Sequence, residues 1–384
     1  MSYSLATLIS YLIENGYDNN NMINFNPSKY NNIDLILQEF QKIQLKDYKY
    51  IAFSAYIWSV NLINPIIKFI RDNGFIGDII LGGYEISSLN KKELLEQFKD
   101  CQFFIESYAE KSLLDILKNE YKNQVKPLFL YKKIDFDMIP SPYLNNVLET
   151  TTKVRLETKR GCPFSCAFCS HQDLVDKKYH ELNKTKVYKE IDLFKIKNVE
   201  KINIIDPVFN IGIDYIKILK YFIRIKFQGE ISVQIRIDLI QDIENNEFLA
   251  LCKKLNIILE FGVQTIFEDE LKALNRKQIK DKARDIIIYC NKYNITYEVS
   301  LIYGLPYQTL DSFKEGISFF KSLNTKKLIA FPLMLLRGTE LYANKQKYNF
   351  IEENYGKYNI KHVLSSNTFS QEEWLQMKII AELL

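Results

Sequence analysis

Cys162, Cys166 and Cys169 stand in Arg-Gly-Cys-Pro-Phe-Ser-Cys-Ala-Phe-Cys-Ser, a C-x3-C-x2-C spacing with an aromatic residue just before the last thiol. Three thiolates on one short loop can hold three irons of a [4Fe–4S] cluster, because soft sulfur ligands favour such clusters. The fourth iron then lacks a protein thiolate and is open to a small molecule. Two other readings fit the same residues. His171 follows Cys169 by two positions, and a Cys3His set binds zinc. Three clustered cysteines in a reducing compartment can also be coincidence. The other cysteines, Cys101, Cys252 and Cys290, sit alone in apolar stretches and read as small buried hydrophobes.

Two blocks of alternating helix and strand must position this loop. In the first, helices are expected at Leu5–Asn15, Ile33–Ile43, Asn61–Asp72, Lys91–Phe98 and Glu110–Asn119. Strands are expected at Met22–Phe25, Tyr50–Tyr56, Asp78–Leu81 and Gln102–Glu106. This alternation predicts a parallel sheet with helices on both faces. Gly82 and Gly83 end the Ile79-Ile80-Leu81 strand, where such sheets carry a ligand crevice. No Gly-x-Gly-x-x-Gly or Walker loop is present, so a nucleotide domain has no support. Residues 121–151, with Ile-Pro-Ser-Pro-Tyr at 139–143, lack periodicity and read as a linker.

From Lys153 the alternation restarts. Strands are expected at Val154–Thr158, Lys201–Ile205, Ile231–Ile235, Ile258–Val263, Glu298–Ile302 and Leu328–Leu333, with a helix over Thr185–Ile196. Six β/α units make a partial (β/α)6 TIM-type barrel, whose ligand-facing loops lie at the strand C-termini. The cysteine loop follows the first of these strands, where chemistry belongs. The class is therefore α/β, a Rossmann-like parallel domain followed by the partial barrel.

The 384 residues suffice for two cored domains. Lys and Arg number 51 against 47 Asp and Glu, and no basic tract interleaved with aromatics occurs, so nothing points to nucleic acid. No apolar run of about 18 residues and no signal peptide appear, and the opening ten residues read as an amphipathic helix. Six cysteines without a secretory signal predict a reduced, cytoplasmic protein with no membrane association. The abundance of Asn, Lys, Ile and Tyr reads as coding bias rather than function.

Five segments in order resemble the radical SAM superfamily: Glu157–Ser170 with the three cysteines, Ile205-Asp-Pro-Val-Phe-Asn210, Gln234-Ile-Arg-Ile-Asp238, Glu260-Phe-Gly-Val-Gln-Thr265 and Leu301-Ile-Tyr-Gly-Leu-Pro306. The first block resembles the cobalamin-binding domain that precedes the core in one branch, through Phe53-Ser-Ala-Tyr-Ile-Trp58, Leu81-Gly-Gly-Tyr-Glu85, the Glu106–Glu110 turn and Pro140-Ser-Pro-Tyr143. The resemblance divides the chain into a cobalamin-type domain (1–120), a linker (121–151), a core (152–341) and a C-terminal extension (342–384). Leu336 to Leu384 is expected to close the barrel mouth and help select the substrate.

The resemblance implies reductive cleavage of S-adenosylmethionine (SAM). Cys162, Cys166 and Cys169 would ligate the cluster, and Gly161 would allow tight backbone ahead of the first of them. The methionyl amino and carboxylate groups would chelate the unique iron. One electron would split the sulfonium bond to a 5′-deoxyadenosyl radical that takes hydrogen from a C–H bond.

Phe168 would pack on adenine, or in the core. Asp206 would receive the SAM ammonium, or cap a turn. Arg236 would grip the carboxylate bidentately, or form a surface ion pair. Gln264 would meet ribose or substrate. Tyr303 and Gly304 would bring bare backbone to the adenine. Tyr56 and Trp58 would face a corrin, or a hydrophobic interface. Gly82 and Gly83 would admit the cobalamin nucleotide tail, or make a tight turn.

An Asp-x-His-x-x-Gly loop is missing from the first block, and His171, His180 and His362 are the only histidines, so no histidine of that block could ligate cobalt. The implied activity is cobalamin-dependent methyl transfer to a small molecule, with a donor such as flavodoxin or ferredoxin. The alternatives are a cobalamin-independent radical SAM enzyme with an empty first domain, or a metal-stabilised binding protein without turnover.

Overall fold

A computed structural model describes residues 1–17, 22–25, 32–171, 177–355 and 360–384. The chain divides into two compact units, one on Met1–Leu148 and one on Glu149–Lys357 with Lys361–Leu384.

The first unit is a four-stranded parallel sheet of β1 (Tyr50–Ser54), β2 (Asp78–Gly82), β3 (Phe103–Ile105) and β4 (Leu128–Leu130). Its strands lie in chain order, β1-β2-β3-β4, each parallel to the next. Gly82, at which the sequence places a ligand crevice, is the last residue of β2. Ile79, Leu81 and Phe104 from the sheet pack with Ile63, Ile66, Ile67 and Ile70 of the helix Val60–Asp72. That spacing puts one apolar stripe of the helix on the sheet.

Two expectations are corrected here. Met22–Phe25 forms no strand, and Ile23 is exposed, so its side chain contributes no burial to a sheet. The stretch read as a linker supplies β4, and Ile139 to Tyr143 within it is buried, with the Tyr143 ring 6.0 Å from that of Tyr3. A three-residue strand is too short to show a period.

Gly83 has φ 104°, and a Cβ there would come within 2.7 Å of the Ala55 carbonyl oxygen. At Gly82 the nearest contact is 3.7 Å, to Ile105 Cβ. Gly83→Ala should therefore cost about 2–4 kcal/mol through strain and overlap, and Gly82→Ala under about 1 kcal/mol. Urea denaturation of both variants checks the contrast, and equal losses would contradict it.

The second unit carries β5 (Lys153–Leu156), β6 (Lys201–Ile204), β7 (Glu230–Ile235), β8 (Ile257–Gln264), β9 (Thr296–Tyr303) and β10 (Leu328–Pro332). They form one six-stranded sheet in the order β10-β9-β8-β7-β6-β5, and every adjacent pair is parallel. Sequential parallel strands with intervening helices are the partial barrel expected from the sequence. Leu156, Val233, Leu259, Phe261 and Val299 are fully buried in it. A two-stranded sheet of β11 (Ile351–Tyr355) and β12 (Ile360–Ser365) and the helix Gln371–Glu382 complete the chain. That helix buries Trp374 and Met377. Residues 356–359 of the extension lie outside the described residues.

The asparagine content serves the helix ends. Asn32, Asn90, Asn183 and Asn246 accept a backbone N–H of the first turn of the helices they precede. Asn119, Asn198, Asn275, Asn294 and Asn324 follow helices with φ of 53–59°, the left-handed conformation that asparagine tolerates better than most residues.

Candidate active site

The cysteine loop leaves the C-terminal end of β5. Lys159–Arg160 first pairs antiparallel with His180–Glu181, and Gly161 then turns the chain with φ 77°. Cys162 is buried against Val208 and Ile211, with Phe164, Tyr179 and Leu239 packed around them. Cys169 donates its backbone N–H to the Cys166 carbonyl at 3.1 Å, closing a turn between these two thiols. Ala167, between them, is held on both sides: its N–H donates to the Leu274 carbonyl at 3.0 Å, and its carbonyl accepts from Leu341 N at 2.9 Å. The Asn275 side chain donates to the Ser165 carbonyl at 3.2 Å and to Glu340 Oε2 at 2.5 Å. Segments after β8 and β10 thus fix a loop that begins after β5.

Positive charge converges on this loop. Arg236 Nη1 donates to Cys166 Sγ at 3.4 Å and Arg276 Nη1 to the same sulfur at 3.8 Å. The Arg236 guanidinium also lies 3.8 Å from the centre of the Phe164 ring. Burial pushes the Cys169 thiol up to about 11 and raises that of Cys162. Such thiols stay protonated at neutral pH until a metal displaces the proton. Among the described residues no three His, Cys, Asp or Glu side chains are gathered to hold a single metal ion. What His171 brings to Cys169 Sγ is its backbone N–H, at 3.4 Å. Cys101, Cys252 and Cys290 are buried and their thiols are raised by that burial, in keeping with small hydrophobes.

The other expected site residues divide. Asp206 is buried with both oxygens engaged. Oδ1 accepts from Thr158 N at 2.8 Å and Lys159 N at 3.1 Å, and Oδ2 accepts from the Thr158 hydroxyl. This carboxylate therefore clamps the strand end ahead of Cys162, as in the turn-capping alternative. Burial, opposed by Lys159 and these donors, raises it to about 6.

Arg236 is no surface ion pair, since it is 7% exposed. Its bidentate edge is taken by Asp238, with Nε to Oδ1 at 3.0 Å and Nη2 to Oδ2 at 2.8 Å. Its Nη1 donates to Cys166 Sγ, so the guanidinium links Asp238 to the cysteine loop. The Tyr303 ring packs in the core 5.7 Å from Phe313 and from Trp374, and burial pushes its phenol up to about 12. A Cβ on Gly304 would face Val363, Leu333 and Phe369, so that side of the glycine is filled by the chain itself. Phe168 is half-buried within the loop.

Gln264 is the expected residue with the plainest ligand signal. It ends β8 at φ 68°, is 8% exposed, and its Oε1 is buried without a hydrogen-bond partner. A strained backbone around an unsatisfied buried acceptor marks a site where a further group belongs. Arg276 beside it has an unpartnered buried Nε, while its Nη2 donates to the Gly262 carbonyl at 2.8 Å.

In the first unit Tyr56 and Trp58 follow β1 with their rings stacked 4.9 Å apart and 7° from parallel, and Trp58 is 58% exposed. Gly82 ends β2, and the space beside Gly83 is occupied by Ala55, as in the tight-turn alternative.

Several residues escaped the sequence reading. Arg276 lies outside every segment that carried the resemblance. Buried Glu270 accepts from Thr265 Oγ1 at 2.5 Å, Ser312 Oγ at 2.7 Å and Gln308 Nε2 at 3.3 Å. Gln308 Oε1 in turn accepts from Gly304 N at 2.7 Å and Leu305 N at 3.2 Å. This network ties the loops after β8 and β9 together, through contacts too distant in sequence to be read from it. Lys159, buried one residue before the Arg-Gly-Cys motif, was also missed.

With this geometry in view, residues 156–320 match the model of the radical SAM superfamily. These residues are a radical SAM domain. The cobalamin-dependent radical SAM methyltransferase TokK of Streptomyces tokunonensis is 27% identical over 219 residues, 53% of this chain and 32% of that one. The chain thus spans about a third of that relative's length. A bacteriochlorophyllide d C-8(2)-methyltransferase of Chlorobaculum tepidum is 23% identical over 335 residues, 79% of this chain and 70% of the relative. Among solved structures, the cobalamin-dependent S-adenosylmethionine radical enzyme OxsB, with aqua-cobalamin and S-adenosylmethionine bound, superposes with TM-score 0.69 at 15% identity, covering 99% of this chain and 63% of that one. At that identity the likeness establishes the fold of the radical SAM domain and of the unit before it. Among the described residues no helix is long and apolar enough to cross a membrane.

Proposed function

We propose that this protein is a radical SAM enzyme that activates a C–H bond of a small molecule, and that its reaction is a cobalamin-dependent methyl transfer. One observation carries the first part: three thiols share a loop pinned at the C-terminal end of a parallel sheet, with two guanidinium groups on Cys166. The donor set fits a [4Fe–4S] cluster, with Cys162, Cys166 and Cys169 as its ligands and Arg236 and Arg276 offsetting its negative charge. Such a cluster, once reduced by a flavodoxin or ferredoxin, supplies the electron that cleaves SAM to a 5′-deoxyadenosyl fragment.

The chain's own residues bind and orient. Gln264 Oε1 and Arg276 Nε, an unpartnered acceptor and donor on residues that both touch Gly262, suit the polar groups of SAM. Asp206 holds Thr158 and Lys159, so the chain enters the loop at a fixed place. The Ala167 contacts to Leu274 and Leu341 hold the loop backbone in place between Cys166 and Cys169.

For cobalamin, the stacked Tyr56–Trp58 pair, exposed at the end of β1, offers a flat apolar face of the kind a macrocycle covers. The names of the relatives support the same reading. Gly83 supports the cobalamin-independent alternative, because the space it leaves is already filled by Ala55. Anaerobic incubation of the whole chain with hydroxocobalamin, followed by desalting, separates the two. We expect about one retained corrin per chain by absorbance, and about tenfold weaker retention in Trp58→Ala. No retained corrin in the folded protein would leave the cobalamin-independent reading.

A further inference from the structure

Lys159 is 1% exposed, which is rare for a lysine, and none of its neighbours is a carboxylate at ion-pairing distance among the described residues. Its Nζ donates to the main-chain carbonyls of Phe209 and Ile211, both at 2.9 Å. Three rings face the ammonium, Phe209 at 5.5 Å, Tyr215 at 5.9 Å and Tyr179 at 6.0 Å from ring centre to Nζ. Carbonyl dipoles and aromatic faces are the surroundings that hold a cation in place of water.

Removing an ammonium from water costs several kcal/mol, and a leucine or methionine would fill the same space without that cost. The charge is therefore retained against a cost to folding. Its position suggests what it does. Ile211, whose carbonyl it grips, packs with Val208 on Cys162. Lys159 also precedes Cys162 by only three residues. The acidic groups that act on it, Asp206, Glu181 and Asp214, do so from beyond ion-pair range, and burial outweighs them in lowering its proton affinity. Lys184 and Lys217 are themselves paired with Asp214, at 2.7 Å and 3.1 Å.

We propose that Lys159 is a positioning residue that seats the Phe209–Ile211 loop against Cys162 and, as a fixed internal cation, eases one-electron reduction of the cluster held by Cys162, Cys166 and Cys169. This rests on the cluster assignment made above. The cluster would pass from [4Fe–4S]2+ to [4Fe–4S]+ by accepting one electron from a low-potential one-electron donor, with no proton moved. An added negative charge beside a desolvated ammonium is stabilised far more than in water. Arg236 and Arg276 bring positive charge to Cys166 directly, whereas Lys159 is tied to the Cys162 end through Ile211, whose carbonyl it holds.

The test is a potentiometric titration of the whole chain, anaerobically reconstituted with iron and sulfide, reduced with titanium(III) citrate at pH 8 and followed by electron paramagnetic resonance. Lys159→Met is expected to keep its iron and sulfide and to be reduced with an equilibrium constant at least tenfold smaller, a fall of 59 mV for a one-electron couple. Lys159→Arg should stay within about threefold of the wild type. Asp206→Asn, which removes an opposing negative charge and keeps acceptor and donor atoms for Thr158 and Lys159, should shift the constant upward.

A Lys159→Met protein with full iron content and an unchanged midpoint overturns the proposal. If that variant does not fold, an unchanged or lowered midpoint in Asp206→Asn does so. A wild-type chain that binds no cluster at all would overturn the cluster assignment itself, which is a separate and recognisable outcome.

Discussion

Replacing Cys166 by Ala should reduce 5′-deoxyadenosine formation from SAM by about a thousandfold or more, equivalent to at least about 4 kcal/mol on the barrier. The sulfur is one of three candidate ligands, and it alone receives both guanidinium contacts, from Arg236 at 3.4 Å and Arg276 at 3.8 Å. Its loss removes an iron ligand and leaves two cations facing each other without the charge they accompany. The fold should survive, because Cys166 is only half-buried and Ala167 keeps its backbone bonds to Leu274 and Leu341. Iron content, circular dichroism and product formation are measured together. A well-folded Cys166→Ala protein that still forms the product would remove the radical assignment. Cys252→Ala is the control: it deletes a buried thiol in the helix Glu247–Cys252 and should leave product formation within about twofold while costing about 1–2 kcal/mol of stability.

The second large effect is expected at Asp206. Asp206→Ala leaves Thr158 N, Lys159 N and the Thr158 hydroxyl without their buried acceptor, at a cost of about 3–5 kcal/mol. Asp206→Asn can keep all three contacts and should lose about 1 kcal/mol or less at pH 8.

The pH dependence distinguishes the two further. Burial raises the carboxyl to about 6 in the folded chain from 3.8. A group raised in the folded state contributes stability that is fully present below its unfolded value and is lost as pH climbs through the folded value. The wild type should therefore lose stability relative to Asp206→Asn between about pH 4 and 6. Urea denaturation across that range reads this directly: the wild-type advantage should shrink as pH rises, and an advantage that stays constant or widens would contradict the burial-dominated picture. Because Thr158 and Lys159 lead into the cysteine loop, Asp206→Ala should also bind less iron.

The parts of this protein legible in its sequence were those carried by short-range pattern. The cysteine spacing needed no fold to be seen. All six barrel strands were bounded within two residues at each end, since apolar runs such as Ile231–Ile235 are cut off by turn residues. What was hidden depended on contacts distant in the chain. Nothing at Asp206 announces that Thr158, 48 positions earlier, would take both of its oxygens. A glutamine gives no sign of φ 68°, so the strain at Gln264 emerged only with the bulge between Gly262 and Gln264. Nothing in the sequence singles out Lys159, and only the enclosing loop after β6 makes it an internal cation. Asparagine, set aside as coding bias, proved to cap helices at both ends.

The central claim is that Cys162, Cys166 and Cys169 hold a SAM-cleaving cluster. It is tested most directly by metal analysis of the whole chain after anaerobic reconstitution, with SAM and a low-potential reductant then added and 5′-deoxyadenosine measured. We expect about four irons and four sulfides per chain and steady 5′-deoxyadenosine formation. A folded protein that takes up a single zinc ion, or that carries the cluster and releases no 5′-deoxyadenosine, would contradict it.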